Sequence, residues 1–227
     1  MANVAIITAR GGSKRIPRKN IKDFMGKPMI AYAVESALDS KIFDEVMVST
    51  EDYEIAEVAK KYGAKVPFMR STKTADDFAT TFDVIDEVVN EYKKIGKYFE
   101  ILCCIYPCVP FLRAETLRSA YNKMQGFDAI IPVCKYPTPI EWAMKIQDNL
   151  LVPNDRKAQN MRSQDMEPKY FDVGMFYFCK TDKIYENKSL APQKTTAFII
   201  PELECQDIDT IEDWQVAEMK YRITNNV

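Results

Sequence analysis

Histidine does not occur anywhere in the 227 residues. Its absence removes Ser-His-Asp and Cys-His nucleophilic catalysis and every histidine-ligated metal site, so acids, bases and ligands must be other side chains. A basic surface is missing as well. Lys and Arg number 31 against 33 Asp and Glu, a net charge of −2, which argues against a nucleic-acid partner. None of the six cysteines (Cys103, Cys104, Cys108, Cys134, Cys179 and Cys205) forms a CxxC pair. They read as buried thiols of a cytoplasmic protein rather than zinc or redox ligands. No apolar run approaches membrane-spanning length, and the start MANVAIITARGG has no basic region followed by a long apolar core, so neither membrane nor export signal is expected. What remains, 47% hydrophobic and 28% charged, suits a single domain spanning 1–227 with a full core.

Apolar runs of strand length alternate with helix-period segments through roughly the first 135 residues, the pattern of an α/β protein with a mainly parallel sheet. The spacing predicts strands at Val4–Thr8, Glu45–Ser49, Lys65–Phe68, Glu100–Ile105 and Asp128–Val133. Between them it predicts a helix opened by Pro28, one ending at Gly63, one over Thr80–Lys94 and one over Glu115–Met124. From Tyr136 to Tyr170 the pattern weakens among Pro137, Pro139, Pro153 and Pro168, which suggests an inserted arm facing a partner. Sheet pattern resumes near Met175, with strands at Phe198–Ile200 and Leu203–Ile208 and a last helix over about Thr210–Tyr221.

Chemistry concentrates in two places. The loop ARGGSKRIPRKNI, Ala9–Ile21, follows the first strand, and up to Lys22 it carries Arg10, Lys14, Arg15, Arg18, Lys19 and Lys22 with no acid. It fits neither GxxxxGK[ST] nor GxGxxG. Cations massed at a strand's C-terminal end in a net-acidic chain still make an anion site suited to polyphosphate. Gly11 and Gly12 let backbone N–H groups approach phosphate, and Ser13 adds a hydroxyl. The opposite pole is PELECQDIDTIEDW, Pro201–Trp214, which has six acids and no cation. At strand spacing Asp207 and Asp209 would face one side and could hold Mg²⁺. Asp209, Glu212 and Asp213 equally suit the first turn of the last helix. Cations on phosphate and carboxylates on metal together are what nucleotidyl transfer needs.

Two further stretches are polar. In RSTKTADDFATTF, Arg70–Phe82, Thr80 and Thr81 could simply cap the following helix. In NMRSQDMEPKYFDVG, Asn160–Gly174, Arg162, Ser163, Gln164, Asp165 and Asp172 suit a polyhydroxylated or carboxylated ligand.

The segments ITARGGSKRIPRKNI, GKPMIAYAVESAL and DIDTIEDW resemble the acylneuraminate cytidylyltransferases, and the likeness spans nearly the whole chain. FDEVMVSTEDYEIAEVAKKYGAKVPFMRS, CCIYPCVPF and RSQDMEPKYFDVGMFYF resemble the branch acting on pseudaminic acid. The resemblance implies a GT-A-like, Rossmann-like fold, mainly parallel, with a small extension arm at 136–170 and a homodimer in which the arm reaches across. It implies CMP transfer from CTP to the anomeric hydroxyl of a nine-carbon acidic sugar, with Mg²⁺ at Asp207 and Asp209 and pyrophosphate released. Arg10, Ser13, Lys19 and Asn20 match triphosphate-holding positions, with Arg10 and Lys19 nearest the reacting phosphate. Lys14 belongs to the same loop, Arg70, Ala79 and Thr81 match positions around the cytosine, and Arg162 matches one tied to the acidic sugar. Sialic-acid members have a glutamine where this chain has Tyr106 and an asparagine where it has Val173. Both changes make the pocket less polar, as a more deoxygenated sugar such as pseudaminic acid requires. The same chemistry on legionaminic or N-acetylneuraminic acid, and a non-catalytic nucleotide-binding role on this fold, stand as alternatives. Such an activity would feed glycosylation of bacterial surface structures such as flagellin.

Overall fold

Asn3–Thr8 (β1) is buried along nearly its whole length, as an apolar strand with parallel neighbours must be. Around it the computed structural model, which describes residues 2–76 and 78–226, lays a mixed seven-stranded sheet. Two short strands, Asp23–Phe24 (β2) and Lys27–Pro28 (β3), pair only with each other. Then come α1 (Met29–Ser40), β4 (Glu45–Ser49), α2 (Tyr53–Lys61), α3 (Thr81–Lys94), β5 (Ile101–Ile105), α4 (Ala114–Lys123) and β6 (Ala129–Lys135). The hairpin β7 (Met144–Gln147) and β8 (Leu150–Pro153) stands outside the sheet. The chain closes with β9 (Tyr170–Asp172), β10 (Phe176–Lys180), β11 (Thr195–Ile199) and α5 (Ile211–Asn225).

The strands lie in the order β11-β6-β10-β5-β1-β4, with β9 beside β6. β4, β1 and β5 are parallel, β10 runs antiparallel between β5 and β6, and β11 is parallel to β6. The sheet is therefore mainly parallel, with β9 and β10 reversed. One face packs Ile30, Ala33, Val34 and Ala37 of α1 and Leu117 and Ala120 of α4. The other packs Ile85, Val88, Val89 and Tyr92 of α3. A third cluster joins Ile16, Phe24, Tyr32, Phe111, Ile208 and Trp214, so the loop after β1 and the segment before α5 share one apolar anchor. Among the described residues no helix is long and apolar enough to cross a membrane.

Three expected elements differ. Lys65–Phe68 is not a strand: Lys65 alone bridges Met47, because Pro67 has no N–H to continue a ladder. Leu203–Ile208 is not a strand either. Glu202–Glu204 is a 3-10 turn, and the carbonyl oxygens of Cys205 and Ile208 accept from the side chains of Lys220 and Lys19 rather than from a neighbouring strand. Phe198 and Ile199 end a longer strand that starts at Thr195. Between β6 and β9 the chain forms the β7–β8 hairpin, whose Asp148-Asn149 turn has both residues at positive φ (51° and 61°), as a two-residue turn matched to strand twist requires. The flanking 3-10 turns cover Ile140–Trp142, Ala158–Asn160 and Ser163–Asp165, and Tyr170 already belongs to the main sheet.

Candidate active site

A cleft of about 650 Å³ opens beyond the C-terminal ends of β1 and β5, where parallel α/β sheets place their ligands. One wall is the loop after β1. Arg10, Ser13, Lys14, Arg15, Lys19 and Asn20 line it. The loop is held from behind by three contacts. Ile16 is sunk into the third apolar cluster. Arg18, in the left-handed region at φ 56°, binds the carboxylates of Asp52 and Glu54. Gly11 abuts Asp52 so closely that a Cβ would lie 2.5 Å from Oδ2. Arg18 is therefore a clamp rather than an anion ligand, and its guanidinium holds the Asp52 carboxyl below its ordinary pKa. Lys22 is also turned away, its Nζ 5.4 Å from the Trp214 ring centroid. Asn20 is fixed on both sides: its amide donates to the Arg10 carbonyl oxygen at 2.8 Å, and the Cys108 thiol donates to its Oδ1 at 3.3 Å.

The glycine pair behaves differently from the expectation that it would present its N–H groups to phosphate. The Gly11 N–H donates to Glu51 Oε1 at 2.7 Å, so that donor is already satisfied, and neither Gly11 nor Gly12 lines the cleft. Glu51 Oε2 is buried with no hydrogen-bond partner among the described residues.

The second wall runs from Arg70 to Val84 and includes Ala79, Thr80 and Thr81; Asp77 lies outside the described residues. Arg70 is only 8% exposed. Its Nε donates to Ser49 Oγ at 3.0 Å and its Nη2 to the Ser49 carbonyl oxygen at 2.5 Å, and burial lowers its pKa. Thr80 and Thr81 both line the cleft but differ in their partners. Thr80 caps α3 in a reciprocal box with Asp83, whereas the Thr81 hydroxyl lies 3.1 Å from that of Tyr106.

Tyr106, Pro107, Cys108 and Gly174 form the floor. Tyr106 packs at 5.4 Å between ring centroids against Tyr177, whose hydroxyl donates to the Asp172 carboxylate at 3.0 Å. Burial raises the pKa of both phenols. Burial likewise pushes the Cys108 thiol up to about 12, so it is no thiolate nucleophile.

Asp207 and Asp209 close the cleft from an irregular segment outside any strand, with Ile208 buried between them. The Asp213 carboxylate accepts from the amides of Asp209 and Thr210 at 3.1 and 2.8 Å, so it caps α5 while Asp209 faces the cations. Arg15 pairs with Asp209 at 2.8 Å, and Lys19 Nζ lies 3.5 Å from the same carboxylate and 2.5 Å from the Ile208 carbonyl oxygen. The protein packed behind Asp207, and then the charge of Asp209, raises the Asp207 carboxyl above its ordinary pKa. Among the described residues no group of three or more His, Cys, Asp and Glu forms a ready metal cage. Two hard oxygen donors at a phosphate-sized cleft fit an ion such as Mg²⁺, which keeps waters and shares phosphate oxygens.

Other expected residues lie elsewhere. Arg162 and Gln164 are exposed on the 136–170 segment, where Gln164 lines a separate groove with Tyr136 and Lys169. Val173 is 8% exposed and packed in the core, because in β-like alternation it turns inward while Gly174 meets the cleft. Asp172 acts on Tyr177 and on the Gly174 N–H and does not line the cleft. Sequence reasoning missed Glu51 and Asp52, some 40 positions from Gly11, which both touch; only Asp52, at a helix start, carries a cap signal.

A family profile described as Cytidylyltransferase matches residues 4–200. The chain is 39% identical to the pseudaminic acid cytidylyltransferase of Campylobacter jejuni over 99% of its own length and 98% of the relative's. It is 33% identical to the CMP-N,N'-diacetyllegionaminic acid synthase of Legionella pneumophila, covering 96% and 95% respectively. In fold it is similar to CMP:2-keto-3-deoxy-manno-octonic acid synthetase complexed with CTP, with a TM-score of 0.67 over 100% of both chains at 19% identity.

Proposed function

The chain belongs to the cytidylyltransferase family, and from that membership we propose that it transfers CMP from CTP to the anomeric hydroxyl of pseudaminic acid, releasing pyrophosphate. The observation that carries this reading is the cleft of about 650 Å³ that a cationic loop and a carboxylate pair line together, Arg15 touching Asp209 at 2.8 Å. Full-length similarity to a pseudaminic acid cytidylyltransferase supports the choice of sugar.

In this reading Arg10, Ser13, Lys14, Lys19 and Asn20 receive the triphosphate, and Arg70, Ala79 and Thr81 receive the nucleoside. The anomeric oxygen attacks the α-phosphorus in line, its proton passing to water or to a cleft carboxylate, the bond to the β-phosphate breaks, and the charge passing to pyrophosphate is met by Lys19 and Arg10. Lys19 suits that task because its Nζ is already fixed by the Ile208 carbonyl oxygen and needs little reorganisation. Asp207 and Asp209 would hold Mg²⁺, which when bound neutralises phosphate charge. Tyr106 presents a phenol and a ring face to the sugar, a surface suited to a deoxygenated, acetamido-bearing substrate.

We place the protein in the cytoplasm as a homodimer whose 136–170 arm reaches the partner, with its product consumed in glycosylation of a bacterial surface structure such as flagellin. Six free cysteines accord with a reducing compartment. Met144, Ile146, Leu150 and Leu151, exposed on the β7–β8 hairpin, are apolar surface that a second subunit would cover, and Arg162 and Gln164 ride on the same arm.

The test is pyrophosphate release from CTP and Mg²⁺ with pseudaminic, legionaminic and N-acetylneuraminic acids side by side. Release with pseudaminic acid well above the other two is expected. Release with another sugar alone would overturn the substrate and keep the chemistry, and no release with any would overturn both.

A further inference from the structure

Asp209 carries a cation at each carboxylate oxygen: Arg15 Nη2 lies 2.8 Å from Oδ2 and Lys19 Nζ 3.5 Å from Oδ1. Asp207, which lines the same cleft, forms no ion pair among the described residues. The two cations differ in freedom. The Lys19 side chain is 20% exposed and bound to the Ile208 carbonyl oxygen, so it is fixed in place. The Arg15 side chain is 64% exposed, so solvent already covers most of it.

A guanidinium nitrogen 2.8 Å from Oδ2 stands where a divalent ion would have to approach that oxygen, so the two compete for it. A triphosphate entering the cleft changes the competition. It offers Arg15 anionic oxygens in the fork geometry that guanidinium prefers and offers the metal further oxygen ligands. We propose that Arg15 is the stand-in cation of the nucleotide-free enzyme, holding Asp209 beside the like-charged Asp207 and excluding a divalent ion until nucleotide phosphates draw it away. Arg15 thereby couples metal affinity to nucleotide affinity, and by linkage the coupling is reciprocal. It is a positioning residue, and the inference rests on reading Asp207 and Asp209 as the metal pair.

The experiment is Mn²⁺ binding, followed by the electron paramagnetic resonance of the free ion, with wild type, Arg15→Ala, Arg15→Lys and Asp209→Asn, each without nucleotide and with α,β-methylene CTP. Without nucleotide, Arg15→Ala is expected to bind Mn²⁺ roughly three- to fivefold more tightly than wild type, the scale of one exposed ion pair. Arg15→Lys should fall between them. With the analogue present the advantage of Arg15→Ala should vanish, so that the nucleotide-induced gain in Mn²⁺ affinity shrinks by the same factor. Mn²⁺ affinity in Arg15→Ala that equals or falls below wild type without nucleotide, undetectable binding by both included, overturns the proposal. Tighter binding in Arg15→Ala that persists undiminished with the analogue overturns the coupling. Binding that Asp209→Asn leaves unchanged instead overturns the metal-pair reading on which the inference stands, and separates that failure from the failure of Arg15.

Discussion

The hydroxyls of Thr81 and Tyr106 lie 3.1 Å apart, joining the first turn of α3 to the segment after β5 at the cleft floor. In the proposed reading Thr81 would face the nucleoside and Tyr106 the sugar. Removing one uncharged hydrogen bond costs about 0.5–1.5 kcal/mol. Tyr106→Phe is therefore expected to raise the sugar KM roughly 2- to 12-fold with little change in that for CTP, and Thr81→Val to do the reverse. Initial rates with each substrate varied in turn check the split; equal effects of both variants on both constants would refute it.

In the proposed reaction Lys19→Ala removes a fixed positive charge that would meet the leaving pyrophosphate. Loss of one preorganised group at developing charge costs about 10²–10³ in kcat, and that is the expected fall. Its melting temperature should stay near that of wild type. A kcat within threefold of wild type would take Lys19 out of the reaction.

Gly11→Ala places a methyl group where Asp52 already stands, 2.5 Å from its Oδ2. Asp52 cannot yield cheaply, since it accepts from the amides of Glu54 and Ile55 and from Arg18. The variant is expected to lose about 1–3 kcal/mol of stability, the usual cost of overpacking, and to bind CTP more weakly as the loop shifts. Denaturant melts and CTP titration read the two effects together.

Asp52 also gives a pH dependence of known sign. Its folded-state pKa is depressed, first by Arg18, so its ion pair stabilises the protein above the unfolded carboxylate pKa of about 4 and is lost as pH falls through the lower folded value. Asp52→Asn keeps an N-cap side chain while deleting the charge. It should be less stable than wild type by about 1 kcal/mol at neutral pH, with the gap closing below about pH 4. Urea melts at pH 7, 5 and 3 test this, and a gap that widened on acidification would contradict the assignment.

Local signals carried much of the architecture. β1, β4 and β5 are apolar runs of strand length with helices between them, and their parallel pairing follows from crossover connections. The capping boxes at Thr80 and Thr210 are likewise written in neighbouring residues. The place of β10 was not legible, because lying between β5 and β6 is decided by packing between segments some 70 residues apart. At the site, the charge of the loop was plain, but which cations face the cleft was not. Arg18 turns back because Asp52 and Glu54 start a helix behind it, and no local pattern couples residue 18 to residue 52. Asp207 and Asp209 both line the cleft although neither belongs to a strand, with Ile208 buried between them in the third cluster.

The chain has two tryptophans, and the structure separates them. Trp142 sits on the arm, its indole donating to the Ala158 carbonyl oxygen at 2.9 Å. Trp214 lies under the cleft against Phe24, 5.3 Å between centroids, with Lys22 over its ring and its indole donating to Glu218. Trp142→Phe would leave a protein whose tryptophan emission comes from beneath the cationic loop, and Trp214→Phe one whose emission comes from the arm. Loop movement and subunit association can then be watched optically, each in its own variant, without an added label.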